Sequence, residues 1–197
     1  MEVAILLFDD FETLDVYGPV EIFGLVTELY AARFYSLHGG LINNKAGLSI
    51  LTEKLEMVPE NLGIFLIPGG IGTRKEVDNQ PLLDKIIQIS TSSTFVLTVC
   101  TGSALLAKTG LLDGKNATSN KRALDWVMSN GPKVTWNKKA RWVVDGKYYT
   151  SSGVSAGMDM VLGFLSDRHG IEMARQLAYK MEYHWMEDKD NDNFYSP

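Results

Sequence analysis

One cysteine, Cys100, ends the apolar run Phe95–Val99 and precedes Thr101-Gly102. A nucleophile in a tight strand-to-helix turn is pushed out above the sheet, and only small neighbours such as Gly102 allow that approach. A helix begun at about Ser103 would point free N–H groups and its positive dipole end at the sulfur, which predicts a lowered thiol pKa and a reactive thiolate. The same pattern equally suits an inert core residue, because free cysteine is among the most buried residue types. A second strand, Ile64–Ile67, runs into Pro68-Gly69-Gly70, which reads either as a turn or as a source of backbone N–H groups able to polarise a substrate. The third candidate is Asp15, in Leu14-Asp15-Val16-Tyr17-Gly18-Pro19; its plain structural role would be a helix N-cap. His38, His169 and His184 do not adjoin Cys100 in sequence and are expected to be structural or solvated.

The elements that must position these residues follow from the apolar pattern. Val3–Phe8, Ile64–Ile67 and Phe95–Val99 are continuous apolar runs of strand length, the signature of strands buried on both faces of a parallel sheet. Arg33–Leu37 reads as a further strand, and His38–Leu55 as a small hairpin turning at Asn43-Asn44 or Ala46-Gly47. Helical spacing predicts a helix opened by Pro19, one of roughly a dozen residues from about Pro81, a short one over Ser103–Lys108 stopped by Gly110, and another over Lys121–Met128. Short strands are expected around Val134, over Arg141–Val144 and over Lys147–Thr150, with Asp145-Gly146 as a hairpin turn. Helices over Ala156–Arg168 and Ile171–Glu182 close the folded part. Residues 1–185 are expected to form one α/β domain with a mostly parallel sheet and helices on both faces, followed by a polar tail over 186–197. Ligands of such folds sit at the carboxyl ends of the strands.

Composition narrows the function classes. With 45% hydrophobic and 22% charged residues over 197 positions, the chain can bury a core and suits neither disorder nor a membrane protein. A net charge of −5 without a run of like charges argues against a phosphate backbone as partner. The N-terminal apolar run has no basic segment before it and no small-residue cleavage site, so a buried strand is expected there rather than a signal peptide. A lone cysteine excludes an internal disulfide and a thiolate-based metal site, and fits a reducing, cytoplasmic setting.

Taken in order, Leu14–Pro19, Ile67–Gly70, Val99–Gly102, Gly110–Thr118 and Ser152–Asp159 resemble the motifs of the ThiJ/PfpI superfamily, over about Val3 to Tyr183. The resemblance implies a flavodoxin-like three-layer sandwich, a homodimer, a nucleophile elbow at Cys100 and a carboxylic acid beside the thiol, here Asp15. Cys-Thr-Gly at the elbow is similar to the isocyanide hydratase branch and to the ligand-binding domains of related transcription regulators. The peptidase and glyoxalase-type branches place a histidine where this chain has Thr101, so the Cys–His pair of a peptidase is missing. Many hydratase relatives carry a His-Trp pair after the Ala-Thr, whereas this chain reads Ser119-Asn120. These two positions, with Gly69 and Gly102, are expected to border the substrate pocket. The regulators carry a helix-turn-helix domain, and none is expected after Tyr183.

The expected activity is therefore cofactor-free hydration or hydrolysis of a small electrophile. Cys100 is the nucleophile, Asp15 the acid and base, and the backbone N–H groups of Gly70 and Thr101 stabilise developing negative charge. Asp15 is expected within hydrogen-bond reach of the sulfur, the two groups sharing one proton. The alternatives are a redox or small-ligand sensor built on an oxidisable Cys100, or a binding module that has lost the chemistry; an intracellular protease is least supported.

Overall fold

The computed structural model describes residues 1–195. Among the described residues, strands and helices are interspersed through the chain. The first half holds β1 (Glu2–Leu6), α1 (Thr13–Gly24), β2 (Ala31–Ser36), β3 (Gly40–Asn43), β4 (Ser49–Lys54), β5 (Ile64–Ile67), α2 (Thr73–Glu76), α3 (Gln80–Ser92), β6 (Phe95–Thr98) and α4 (Gly102–Lys108). The second half adds β7 (Asn116–Ala117), α5 (Leu124–Asn130), β8 (Thr135–Trp136), β9 (Trp142–Asp145), β10 (Tyr148–Ser151), α6 (Ala156–His169) and α7 (Ile171–Lys180). Eight strands form one sheet in the order β3-β4-β2-β1-β5-β6-β10-β9. Every pairing from β4 to β10 is parallel, while β3 and β9 pair antiparallel at the two edges. β7 and β8 form a separate two-stranded parallel ribbon.

The central strands are sheathed on both sides, which is why their sequences do not alternate. All of Val3–Leu6 and Ile64–Ile67, with Val96 and Leu97, have no exposed surface. From β1 the chain moves to β2 on one side, whereas β5 leads to β6 and then β10 on the other. Right-handed crossovers then place α1, α6 and α7 on one face, where they pack together, and α2 to α5 on the opposite face. The reversal between β1 and β5 opens a crevice at the carboxyl ends of the strands. Asp15, Gly69-Gly70 and Cys100 all lie just beyond those ends.

One expected boundary is wrong. Pro19 does not open α1, which starts six residues earlier at Thr13 with Pro19 in its interior. The helix gives up the hydrogen bond that an N–H at position 19 would make to the Asp15 carbonyl. It keeps its course because Asp15, Val16, Gly18, Pro19, Ile22 and Phe23 form one buried face. The segment expected as a helix from Lys121 begins as a 3-10 turn over Lys121–Ala123 before α5. Two short elements without an apolar period, α2 and β7, were not legible in the sequence.

Within the polar segment after Tyr183, the residues around Lys189 and Asp192 lie against the domain. The Arg141 N–H donates to the Lys189 carbonyl at 2.7 Å, and the Asp192 N–H to the Lys139 carbonyl at 2.8 Å.

Candidate functional site

Cys100 is held in the left-handed backbone region at φ +55°. A non-glycine residue there is strained by roughly 1–3 kcal/mol, and three hydrogen bonds hold it in place. Its N–H donates to the Ser152 carbonyl at 3.1 Å, and its carbonyl accepts the Ser119 and Ser103 hydroxyls at 2.7 and 3.0 Å. Two residues on, Gly102 passes so close to β5 that a Cβ would collide with the Ile67 and Pro68 carbonyl oxygens. The elbow is therefore assembled from β6, the β10–α6 loop and the segment after β7.

Asp15 reaches the same place from the other side of the crevice. It is the third residue of α1 and fully buried, and the helix N-cap position belongs to Glu12, so its side chain is not a cap. Oδ2 accepts the Gly69 N–H at 2.9 Å, while Oδ1 has no hydrogen-bond partner of ordinary geometry among the described residues. Burial pushes this carboxyl up to about 8, against the Gly69 N–H, the Cys100 thiol and the Val154 N–H, which favour its charge. Val154 itself stands at φ +51°, an outlier for a β-branched residue. The Cys100 thiol acts on the Asp15 carboxyl as a hydrogen-bonding neighbour that favours its charge.

The expectation of a depressed thiol pKa is overturned. Burial and then the Asp15 carboxylate push Cys100 up to about 12, outweighing the Thr101 N–H, the Asn120 amide and the Thr101 hydroxyl, which act the other way. The thiol is only 6% exposed, so helix α4 cannot compensate for lost water. Both shifts run in the direction that favours the protonated carboxyl and the protonated thiol.

The remaining expected residues fall into distinct roles. Asn120 turns its Oδ1 to the Arg122 and Ala123 N–H groups at 2.9 and 3.2 Å, which commits its amide N–H2 toward the sulfur. That amide packs against Gly153, where a Cβ would displace it. Ser119 is fully buried and spends its hydroxyl on the Cys100 carbonyl, so it supports the elbow rather than facing a substrate. Thr101 keeps its N–H for the sulfur. The Gly70 N–H is not free: it donates to the Thr101 hydroxyl oxygen at 3.1 Å. That removes Gly70 as a direct partner of developing charge and leaves the Thr101 N–H and Asn120 amide. Gly69 orients Asp15, and Gly102 makes room for the turn.

Two neighbours were missed. Arg74 of α2 stacks its guanidinium over the Trp126 ring, 3.4 Å from the centroid; burial lowers its pKa, while a Cys100 thiolate would act the other way. Val154 lies within the Ser152–Asp159 motif, but nothing local marks a valine for the left-handed region. His169 meets the Tyr30 hydroxyl at 2.8 Å, on the α1/α6 side of the sheet, and takes no part in the site. Among the described residues no three His, Cys, Asp or Glu side chains gather as a metal site. A cavity of about 300 Å³ is lined by Asn120, Lys121, Arg122, Ser152–Ser155 and Phe194, and it meets the elbow through Ser152 and Asn120, which contact Cys100.

The motif described for the DJ-1/PfpI family matches residues 1–167. An isonitrile hydratase of Pseudomonas putida is 28% identical over 93% of this chain and 78% of its own length. The HTH-type transcriptional regulator GbdR of Pseudomonas aeruginosa is 26% identical over 92% of this chain, which spans about half of that regulator. A crystal structure of a ThiJ/PfpI family protein from Pseudomonas syringae superposes with a TM-score of 0.84, at 26% identity, over 92% of this chain and 74% of the other.

Proposed function

The chain belongs to the DJ-1/PfpI family, and we propose that within it this protein is a cofactor-free, cysteine-dependent hydratase of small electrophiles, with isonitriles as the model substrate class. The observation that carries the reading is the buried pair of Asp15, with one unpartnered carboxyl oxygen, and Cys100 on a strained elbow. A neutral thiol beside a neutral carboxyl is suited to attack coupled to proton transfer. Sγ bonds to the terminal carbon of R–N≡C as the thiol proton is passed to that carbon through Asp15, giving the thioimidate R–N=CH–S. Water then adds to the same carbon and Asp15 carries one of its protons to nitrogen; the C–S bond breaks as the proton of the new hydroxyl passes through Asp15 to Sγ, returning the thiol and releasing the N-formamide. The Thr101 N–H and the Asn120 amide stabilise charge on sulfur. Similarity to the hydratase, and Thr101 where a peptidase-type relative keeps histidine, support hydration over proteolysis.

A second reading is supported by the similarity to regulators: a sensor in which peroxide oxidises Cys100 to the sulfinate beside a protonated Asp15. A panel of methyl, cyclohexyl and aryl isonitriles, with formamide followed by chromatography, separates the two. Turnover by the wild type and none by Cys100→Ala supports the hydratase. No turnover on the whole panel, with clean gain of two oxygens at Cys100 under peroxide, overturns it in favour of the sensor.

A further inference from the structure

The polar segment after Tyr183 is anchored by a buried ion cluster that the chemistry at Cys100 does not use. Arg141, 4% exposed, places its Nε and Nη2 each 2.6 Å from Asp159 Oδ2, its Nη2 3.2 Å from the Ser155 hydroxyl and its Nη1 3.4 Å from Asp192 Oδ1. Asp159 also accepts the Tyr183 hydroxyl and the Met186 N–H at 3.0 and 3.1 Å. Asp192 Oδ1 in turn accepts the Phe194 N–H at 3.0 Å, fixing the turn that carries this ring. Burying a carboxylate against a guanidinium is a weak source of stability, since desolvation cancels much of the attraction. Here it delivers a phenyl ring that remains 73% exposed, an arrangement that packing alone does not explain. The ring lines the cavity of about 300 Å³ together with Asn120 and Val154, and also a second one of about 380 Å³ lined by Leu124, Lys138 and Tyr195.

We infer that Phe194, set in place by the Arg141–Asp192 pair, is a wall of the substrate cavity beside Cys100 and selects electrophiles that carry a flat apolar substituent. This rests on the reading of Cys100 as the reacting group. The cavity is at the small end of ligand sites, the size of one ring-bearing substituent. The reactive end would meet Sγ beside the Asn120 amide, and the ring would lie between Val154 and Phe194. Stacked or edge-on aromatic contact supplies the selectivity.

The test uses alkylation of the one thiol, which needs no turnover. Rates with iodoacetamide and with its N-phenyl analogue, iodoacetanilide, are measured by intact mass. The anilide-to-amide rate ratio of the wild type is expected to fall about tenfold in Phe194→Ala. It should fall less in Phe194→Leu and in the same direction in Asp192→Asn, with circular dichroism showing each variant folded. A Phe194→Ala ratio equal to that of the wild type overturns the proposal, and an unmoved ratio in Asp192→Asn overturns the anchoring role. Failure of the hydratase reading looks different: no isonitrile is consumed, while the alkylation ratio still depends on Phe194.

Discussion

Replacing Asp15 by asparagine should make the protein inactive and, at neutral pH, more stable. In the unfolded chain this carboxyl titrates near 3.8, whereas burial holds it at about 8 in the folded state. At pH 7 folding must return a proton that the unfolded chain has released across about three pH units, a penalty of about 4 kcal/mol at most. The folded form binds more protons, so this contribution is harmless below pH 3.8, grows as pH rises toward 8, and is constant above it. Asparagine removes the penalty and can still accept the Gly69 N–H through its carbonyl oxygen. Its N–H2 would then occupy the unpartnered Oδ1 position, at a cost of about 1–3 kcal/mol. The net expectation is a gain of about 1–3 kcal/mol at pH 7 and no gain, or a loss, at pH 4. Urea unfolding of both proteins from pH 4 to 8 measures it directly. The difference between variant and wild type should rise with pH by up to about 1.4 kcal/mol per unit. Parallel stability curves would refute the buried, protonated carboxyl, and retained isonitrile turnover would refute its role as proton carrier.

Four further outcomes are expected. Alkylation of Cys100 by iodoacetamide should be slow at pH 7 and still accelerating at pH 10, because burial and Asp15 hold the thiol at about 12; a plateau below pH 8, seen by stopped-time mass spectrometry, would contradict this. Gly102→Ala should lose about 2–4 kcal/mol in urea unfolding, because its Cβ meets the fixed carbonyls of Ile67 and Pro68 rather than a movable side chain. Arg141→Ala should lose about 3–5 kcal/mol by the same measurement, since it leaves Asp159 and Asp192 buried without a cation. Light scattering should find a two-copy particle, and a constant 21.9 kDa across a wide concentration range would exclude it.

The main strands and helices, in order, and the three loops that carry the chemistry were legible from residue pattern alone, the short α2 and β7 excepted. Continuous apolar runs at Val3–Phe8, Ile64–Ile67 and Phe95–Val99 can only be strands covered on both faces, and the Gly-rich turns after them mark strand ends. Such signals are local, and local chemistry is readable from neighbours in the chain. What each group does at the site depended on segments far apart. Pro19 sits inside a helix because a buried face outweighs one lost hydrogen bond. Asn120 aims its amide at Cys100 because the N–H groups of Arg122 and Ala123 take its oxygen, while Ser119 beside it turns inward to the elbow carbonyl. The Gly70 N–H is taken by a hydroxyl thirty-one residues away. Even the direction of the thiol shift was a tertiary matter. A helix start beside a cysteine is visible in the sequence and favours the thiolate, but α1, β6 and the β10–α6 loop close around that sulfur together. Water lost to packing then outweighs the dipole that the sequence displays.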